Sequence, residues 1–315
     1  RSSYIGGAAG TATVLAGQMF GIPVSGTMAH SWVMYYKDEY EAFKHYAENY
    51  PDNTVLLVDT YDTIKSGIPN AIRVAREVLE PMGKRLKGIR IDSGDLAYQS
   101  IKVRKMLDDA GLTDCKIIVS NSLDEHTISS LNMQKARIDG YGVGERLITG
   151  ASSDYSEDSI SLLGAVYKIA AVEENGGFAP RIKVSGSVEK ITNPGLKKVY
   201  RVYDQNGKAK ADLIAKADET IDMSQEFRFV DPDMPWRNLK FTHCTVRPLQ
   251  EKIFENGKLV YKLPTLNEIR AYVKKQLDEE IWEEEQRFVN PHKHYMDMTP
   301  DYYDMKMSLL NDSRA

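Results

Sequence analysis

Five short apolar runs recur along the first half of the chain, each followed by a stretch with helical spacing. They are GIPVSGT (21–27), NTVLLVD (53–59), KGIRIDS (87–93), CKIIVSN (115–121) and IDGYGVG (138–144). Their starts lie 32, 34, 28 and 23 residues apart, the rhythm of successive strand–helix units of about 30 residues. The runs show little alternation of apolar and polar positions, as expected of parallel strands covered on both faces. Between them, Ile68, Ala71, Ile72, Ala75, Val78, Leu79 and Met82 share one face of a helix predicted over 67–82. Ser66 is its expected cap, and Pro69 fits its first turn. Leu96, Val103, Met106, Leu107 and Ala110 form a second stripe over 96–110, ended by Gly111. Residues 38–49 read as a more polar helix, and 124–135 as one that starts at Asp124 with Ile128 and Leu131 facing inward.

The pattern changes after Gly150. SSDYSEDS (152–159) reads as an acidic loop and LLGAVYKIAAV (162–172) as a further apolar strand. Two hairpins follow, one over 197–214 around Asn206-Gly207 and one over 252–263 around Asn256-Gly257. Thr265 and Glu268 have capping-box spacing. They open a long helix with Leu266, Ile269, Tyr272, Val273, Leu277, Ile281 and Phe288 on one side. The acidic run EEIWEEEQ (279–286) reads most simply as the solvated face of that helix.

Composition narrows the class. A chain of 315 residues, 42% of them hydrophobic, can bury a sizeable core in one α/β barrel with additions or in two domains. With 41 basic and 45 acidic residues the net charge is −4, which argues against a nucleic-acid partner bound through net basicity. Two cysteines, Cys115 and Cys244, cannot make a disulfide scaffold and suit a reduced, cytoplasmic setting. No run approaches the 18 or so apolar residues of a membrane span, and no signal peptide is visible, so no membrane partner is expected. The first residue is Arg1 and motif-like sequence begins at once, so a chain lacking its natural N-terminus is expected.

Parallel strand–helix units hold ligands at the C-terminal ends of their strands. Here every such end is polar: Ser25, Thr27 and His30; Asp59 and Asp62; Arg90, Asp92, Ser93, Gly94 and Asp95; Ser120, Asn121 and Ser122; Gly142 and Gly144. Five ends that mix a histidine, an arginine, carboxylates and glycines suggest a site for an anionic substrate. Gly142 and Gly144 can offer backbone N–H groups to a phosphate, with Ser120 and Asn121 as neutral donors. Asp59 and Asp92 can hold ribose hydroxyls or a magnesium ion. Arg90 can clamp a carboxylate, and His30 can act as acid, base or nucleophile. Each residue also has a plain structural use. Asp92 and Asp95 can cap the following helix, Arg90 can meet an internal carboxylate, and His30 can be a hydrogen-bonded structural residue. Cys115 reads as core, and His292 with His294 resembles a metal pair without an evident third ligand.

Taken together, the runs SSYIGGAAGTATVLAG (2–17), GIPVSGTMAHSW (21–32), LLVDTYDT (56–63), IRIDSGDL (89–96), IVSNSLDE (118–125), YGVGERLIT (141–149) and GAVYKIAAV (164–172) resemble the nicotinate phosphoribosyltransferase family, in order. KITNPGLKKVYRVYD (190–204) and VNPHKHYMDM (289–298) resemble that family's C-terminal half. The resemblance implies an α/β fold, an irregular TIM-like barrel of the type II phosphoribosyltransferases plus part of a second α+β domain. Residues 1–180 are expected to carry the barrel and its site. Residues 181–315 are expected to complete its periphery and the second domain. The family's longer N-terminal region, which supplies an aromatic residue over the pyridine ring and arginines near the diphosphate, lies outside the chain.

The resemblance further implies an enzyme of NAD salvage. Nicotinate displaces diphosphate from 5-phosphoribosyl-1-diphosphate, and ATP hydrolysis is coupled to the transfer, a ligase-type classification. His30 matches the phosphohistidine position. Thr27 and Arg90 match positions near the nicotinate carboxylate, Ser25 is a further substrate-binding candidate, and Asp59 and Asp92 match carboxylates near the ribose and a magnesium ion. Ser93, Gly94, Ser120, Asn121, Gly142 and Gly144 match substrate-binding positions. Glu145 departs from relatives that place threonine there. A homodimer sharing its active site is the expected assembly. A sister enzyme using nicotinamide or quinolinate, or a non-catalytic homologue acting as a binding protein, are the competing readings. Quinolinate, with two carboxylates, calls for more cations than Arg90 alone.

Overall fold

Four of the five apolar runs form strands, and these pair side by side in chain order. The computed structural model describes residues 1–150, 167–184, 191–222, 226–287 and 289–312. The chain divides into two compact units, one of residues 1–172 with 181–192, the other of 173–180 with 193–313.

In the first unit, the opening segment contains short helices α1 (Ser2–Ile5), α2 (Val14–Phe20) and α3 (His30–Tyr35), followed by α4 (Glu39–Asn49). Strands β1 (Val55–Leu57), β2 (Gly88–Ile91), β3 (Lys116–Val119) and β4 (Gly140–Tyr141) form a parallel sheet in the order β1-β2-β3-β4. This sequential parallel order is that of consecutive strands in a barrel wall, and among the described residues it is an open arc of four. Helices α5 (Ile68–Val74), α6 (Leu96–Asp109), α7 (Glu125–Met133) and α8 (Glu145–Thr149) follow the successive strands. Leu56, Leu57, Ile89, Ile91, Ile117 and Val119 are buried with Ile68, Val74, Leu79, Val103 and Leu107 in one core. Each large aliphatic side chain so buried contributes about 1.5–3 kcal/mol.

Aspartates start the helices. Asp38 accepts from the N–H groups of Tyr40 and Glu41, Asp95 from Tyr98, and Asp124 from Thr127. The helix expected over 67–82 begins earlier. Asp62, not Ser66, is its cap, accepting from the N–H groups of Ile64 and Lys65. The reason is a wide first turn, in which Ile68 N–H reaches Thr63 O five residues back. Ser66 instead donates to the buried carboxylate of Glu39, which Asn70 also reaches at 3.0 Å. Burial raises the pKa of Glu39 above the ordinary carboxylate range, against those hydrogen bonds. The run 21–27 does not form a strand. It makes one parallel bridge, Val24 to Thr11. Pro23 lacks a backbone donor and Gly21 and Gly26 weaken extended pairing.

The second unit is built on a six-stranded sheet in the order β10-β9-β14-β8-β7-β11. In chain order, β5 (Ala171–Glu174) and β6 (Gly177–Pro180) form a two-stranded ribbon. Next come β7 (Lys197–Tyr203), β8 (Ala209–Lys216), β9 (Phe227–Val230), β10 (Asn238–Phe241), β11 (Thr245–Pro248), β12 (Phe254–Glu255), β13 (Lys258–Leu259), α9 (Leu266–Lys275), β14 (Met296–Met298) and α10 (Pro300–Asp312). The hairpin at Asn206-Gly207 forms as expected between β7 and β8, its turn tied by Asp204 to the N–H groups of Asn206 and Lys208. Asn256 and Gly257 both take positive φ between β12 and β13, as a tight two-residue hairpin requires. Of the strand expected over 162–172, residues 162–166 lie outside the described residues, as does the acidic loop 152–159. Among the described residues of that run, 167–172, strand pairing begins at Ala171.

The long helix opens with the expected capping box, Thr265 and Glu268. It does not run through 288. The continuous helix ends at Glu280 where Ile281 is extended, a separate 3-10 turn follows at Glu283–Gln286, and Phe288 lies outside the described residues. The acidic run is therefore not a uniformly solvated face. Glu280 is buried and accepts from Tyr203 Oη at 2.6 Å and Arg247 at 2.9 Å. Glu285 lies 2.9 Å from His294 Nδ1.

Candidate active site

The sheet register sets the site. Leu57 stands opposite Arg90, Arg90 opposite Ile118, and Val119 opposite Tyr141. Continued one or two residues past the strands, the same register puts Asp59, Asp92, Ser120 and Gly142 in a row along the C-terminal edge. The side chains confirm that row. Asp59 Oδ2 accepts from Asp92 N–H at 3.0 Å and from Ser93 Oγ at 2.5 Å. Ser120 Oγ donates to Asp92 Oδ1. A Cβ on Gly142 would lie 3.3 Å from Ser120 Cβ, so a larger residue would press on this chain of contacts.

His30, the first residue of α3, enters the row from the side. Its Nδ1 is 3.0 Å from Thr60 Oγ1 and its Nε2 is 3.6 Å from Asp92 Oδ2. Burial by itself would raise the Asp92 pKa. His30, Ser120 and Arg90 outweigh burial and hold it down at about 2. Arg90 Nη1 donates to Thr27 Oγ1 at 2.6 Å, while its Nε is buried without a hydrogen-bond partner. Asp59 is buried, and its Oδ1 is likewise unpartnered. A guanidinium donor and a carboxylate oxygen left over at one strand edge are the polar atoms a bound ligand can satisfy.

Next to this row is a cavity of about 230 Å³ lined by Asn121, Ser122, Gly142, Gly144, Glu145 and Arg146, with Leu123. Asn121 and Ser122 both have positive φ, 98° and 49°, a costly backbone for non-glycine residues that collects at functional loops. Arg146 is anchored by an ion pair to Asp124. Glu145 opens α8 and is exposed on the cavity rim, an unfavourable neighbour for a phosphate. Gly94 takes φ 77°, and a Cβ there would lie 2.3 Å from Gln99 Nε2.

The expected residues divide by role. His30, Asp59, Asp92, Ser93 and Ser120 are joined by direct contacts, Thr27 and Arg90 form a separate hydrogen-bonded pair, and Asn121, Gly142 and Gly144 line the adjoining cavity. Asp62 and Asp95 are helix caps. Ser25 is exposed, its N–H bonded to Thr11 O. Three residues escape a reading based on strand ends alone. Thr60 holds His30, Gln99 Nε2 donates to Ser93 O at 3.0 Å, and Arg146 pairs with the Asp124 cap. Thr60 had one available signal, its place next to Asp59. Cys115 is buried in the core, and burial pushes its thiol up to about 12, which suits no nucleophile.

Paired carboxylates, a guanidinium and a glycine-lined cavity at parallel strand ends make up the candidate site of an α/β protein. The model of the nicotinate phosphoribosyltransferase (NAPRTase) family matches residues 5–223, and that of the nicotinate phosphoribosyltransferase C-terminal domain matches 196–306. The chain is 46% identical to the nicotinate phosphoribosyltransferase of Bacillus subtilis (strain 168) over 318 residues, covering 100% of this chain and 62% of the relative. It is 34% identical to that of Dictyostelium discoideum, covering 99% of this chain and 60% of the relative. The crystal structure of human nicotinic acid phosphoribosyltransferase aligns with 25% identity and a TM-score of 0.41, covering 99% of this chain and 66% of that one. The chain belongs to the nicotinate phosphoribosyltransferase family. It spans about three fifths of the length of these curated relatives, 62% and 60%.

Proposed function

We propose that this chain carries the phosphoribosyl-transfer site of a nicotinate phosphoribosyltransferase. Nicotinate and 5-phosphoribosyl-1-diphosphate give nicotinate mononucleotide and diphosphate, in salvage of NAD. The observation that carries the reading is the joined row Asp59–Asp92–Ser120, with His30 against Asp92, the Arg90 charge acting on Asp92 and the glycine cavity beside the row. Family membership supports the same reaction.

The chemistry follows from the groups present. The pyridine nitrogen of nicotinate attacks C1 of the ribose as the C1–oxygen bond to diphosphate breaks. Positive charge builds on the sugar in between. Asp59 and Asp92 are carboxylates suited to stabilise it. The ring nitrogen needs no base, because it arrives unprotonated. Arg90, with Nε unpartnered and Nη1 on Thr27, suits the nicotinate carboxylate. The cavity between Asn121 and Gly144 suits the 5-phosphate, through backbone N–H groups rather than the Glu145 side chain.

Magnesium fits the donor set. Asp59 Oδ1 is an unpartnered hard oxygen, and among the described residues no cluster of three or more acidic, histidine or cysteine side chains closes a cage. A magnesium ion held by one or two carboxylates and substrate phosphates has this requirement. Bound at the Asp59 carboxylate, it would neutralise charge on the departing diphosphate.

ATP is the second substrate in this reading. His30 Nε2 takes the terminal phosphoryl group of ATP, releasing ADP, and water later returns it as phosphate. Thr60 Oγ1 lies 3.0 Å from His30 Nδ1, and the neutral tautomer with its proton on Nδ1 would keep the Nε2 lone pair for that attack. The phosphorylated ring places new negative charge beside Asp92 and so couples ATP to the substrate loops. A homodimer completing the site with segments outside this chain, in the cytoplasm, accords with the whole reading.

The test is labelled turnover with nicotinate or nicotinamide, each with and without ATP, on a form of the protein that includes this chain. Product from nicotinate alone, stimulated by ATP and with label trapped on His30, is expected. Product from nicotinamide instead overturns the assignment of Arg90. His30→Ala is expected to abolish ATP stimulation and leave a slow ATP-independent transfer. Equal loss of both overturns the division of labour.

A further inference from the structure

The second unit holds a cavity of about 480 Å³, none of whose lining residues belongs to the strand-end site. Three aromatic side chains, Phe241, Trp282 and Tyr295, and three acids, Glu284, Glu285 and Asp297, form most of its wall. The basic side chains on it are Lys210 and His292, so carboxylates are in excess.

Asp297 is the unusual member. It sits mid-strand in β14, is fully buried, and neither carboxylate oxygen has a hydrogen-bond partner among the described residues. An unpartnered buried carboxylate is strongly unfavourable, and its persistence calls for a compensating group. The nearby cations are engaged elsewhere. Arg237 is 4.0 Å from Asp231 and stacks over Tyr295 at 5.1 Å. Lys293 pairs with Asp233, and His294 lies between Glu285 and Asp212 at 2.9 and 3.3 Å. Lys210 Nζ lies 5.9 Å from the centre of the Phe241 ring.

The aromatic wall is held in place. Trp282 Nε1 donates to Ala209 O at 2.7 Å, which fixes the indole, and His292 meets Tyr295 edge-on at 5.9 Å. Aromatic faces attract cations, and a carboxylate without donors requires N–H groups rather than a fully alkylated nitrogen.

We propose that this cavity binds a small organic ammonium, a primary amine on an apolar body, with its N–H donors on Asp297 and its body against Trp282, Phe241 and Tyr295. An anion is disfavoured by three carboxylates, and a neutral apolar molecule leaves Asp297 unpaired. The site is independent of the phosphoribosyl chemistry and needs no change in it.

Titration of the 315-residue chain with phenethylammonium, followed by calorimetry and by the Trp282 indole signal in NMR, tests this. Saturable binding is expected, with 2-phenylethanol and phenethyltrimethylammonium each weaker by about tenfold or more. Asp297→Asn, which keeps shape and removes charge, is expected to erase the preference for the amine. Phe241→Leu, which keeps every charge, is expected to weaken both the amine and the alcohol while the amine stays preferred. Asp59→Asn is expected to leave all three affinities unchanged. Equal affinity for amine and alcohol, an undiminished preference in Asp297→Asn, or no saturation by about 10 mM overturns the proposal.

Discussion

Ser93 Oγ donates to Asp59 Oδ2 at 2.5 Å and so ties the loop after β2 to the end of β1. The same oxygen accepts Asp92 N–H at 3.0 Å, which leaves Oδ1 buried and unpartnered. One carboxylate thus both shapes its neighbour's loop and keeps an oxygen for a ligand. Asp59→Asn preserves the shape and one acceptor oxygen but removes the charge. Expected is a fold with little change in thermal midpoint and a loss of turnover of about a hundredfold, the scale of one electrostatic group at a transition state. Turnover and unfolding measured on the same preparation check it. Loss of both together would make Asp59 a structural residue only.

Thr60 is fully buried and holds His30 Nδ1 at 3.0 Å. Thr60→Val keeps the volume and removes the hydroxyl, at a cost near 1 kcal/mol for one hydrogen bond. Imidazole nitrogen shifts in NMR are expected to show a changed tautomer balance at His30. ATP stimulation is expected to fall about fivefold or more, with ATP-independent transfer held.

Gly67 packs where no side chain fits. A Cβ there would stand 1.9 Å from Val58 O, in the segment between β1 and Asp59 that cannot move without displacing Asp59. Gly67→Ala is expected to destabilise the first unit by about 3 kcal/mol, as a severe overpacking of the core. Urea unfolding checks the magnitude. Gly21→Ala is the contrast: nothing lies within 4 Å of its Cβ, and only the positive φ of 64° resists. Its cost is expected near 1 kcal/mol.

The second unit has its own pH dependence. Asp212 is buried, which by itself raises its pKa, but His294 and Arg201 hold it down at about 2. Its contribution is present above pH 3.8, the ordinary value, and is lost as pH falls through about 2. His294 is raised above 6.5 by Asp212 despite burial, so its contribution is present below pH 6.5 and is lost as pH rises through the higher folded value. Asp297 is raised to about 6 by burial and by Asp231, against Arg237, Lys293 and His294. Its cost to the fold grows as pH rises from 3.8 through about 6. Stability of this unit is therefore expected to fall as pH rises across the neutral side. Asp297→Asn should flatten the slope between pH 3.8 and about 6, and His294→Gln the slope above 6.5, in unfolding curves taken against pH.

Much of this was legible before any coordinates. The 34, 28 and 23-residue spacings located β1 to β4, because buried parallel strands must be apolar and their crossovers need helices. Asp38, Asp95 and Asp124 read as helix starts for a local reason, since a cap bonds only two or three residues ahead. Asn256-Gly257 and Thr265–Glu268 are local in the same sense. The run 21–27 misled because apolar content alone does not supply a pairing partner. The acidic run 279–286 misled because helical spacing continued past the point where Ile281 turns extended.

The sequence by itself determined the units, their order and the residue types at each strand end, since all of these rest on contacts within a few residues. Only the tertiary structure decided which strand ends meet. Parallel register, set by hydrogen bonds between segments some thirty residues apart, aligned Asp59, Asp92, Ser120 and Gly142. It also left Asp92, which by sequence could equally have been a cap, to face His30. In the second unit it buried Asp297 without a partner, because the period of a strand fixes which face a side chain takes whatever its charge.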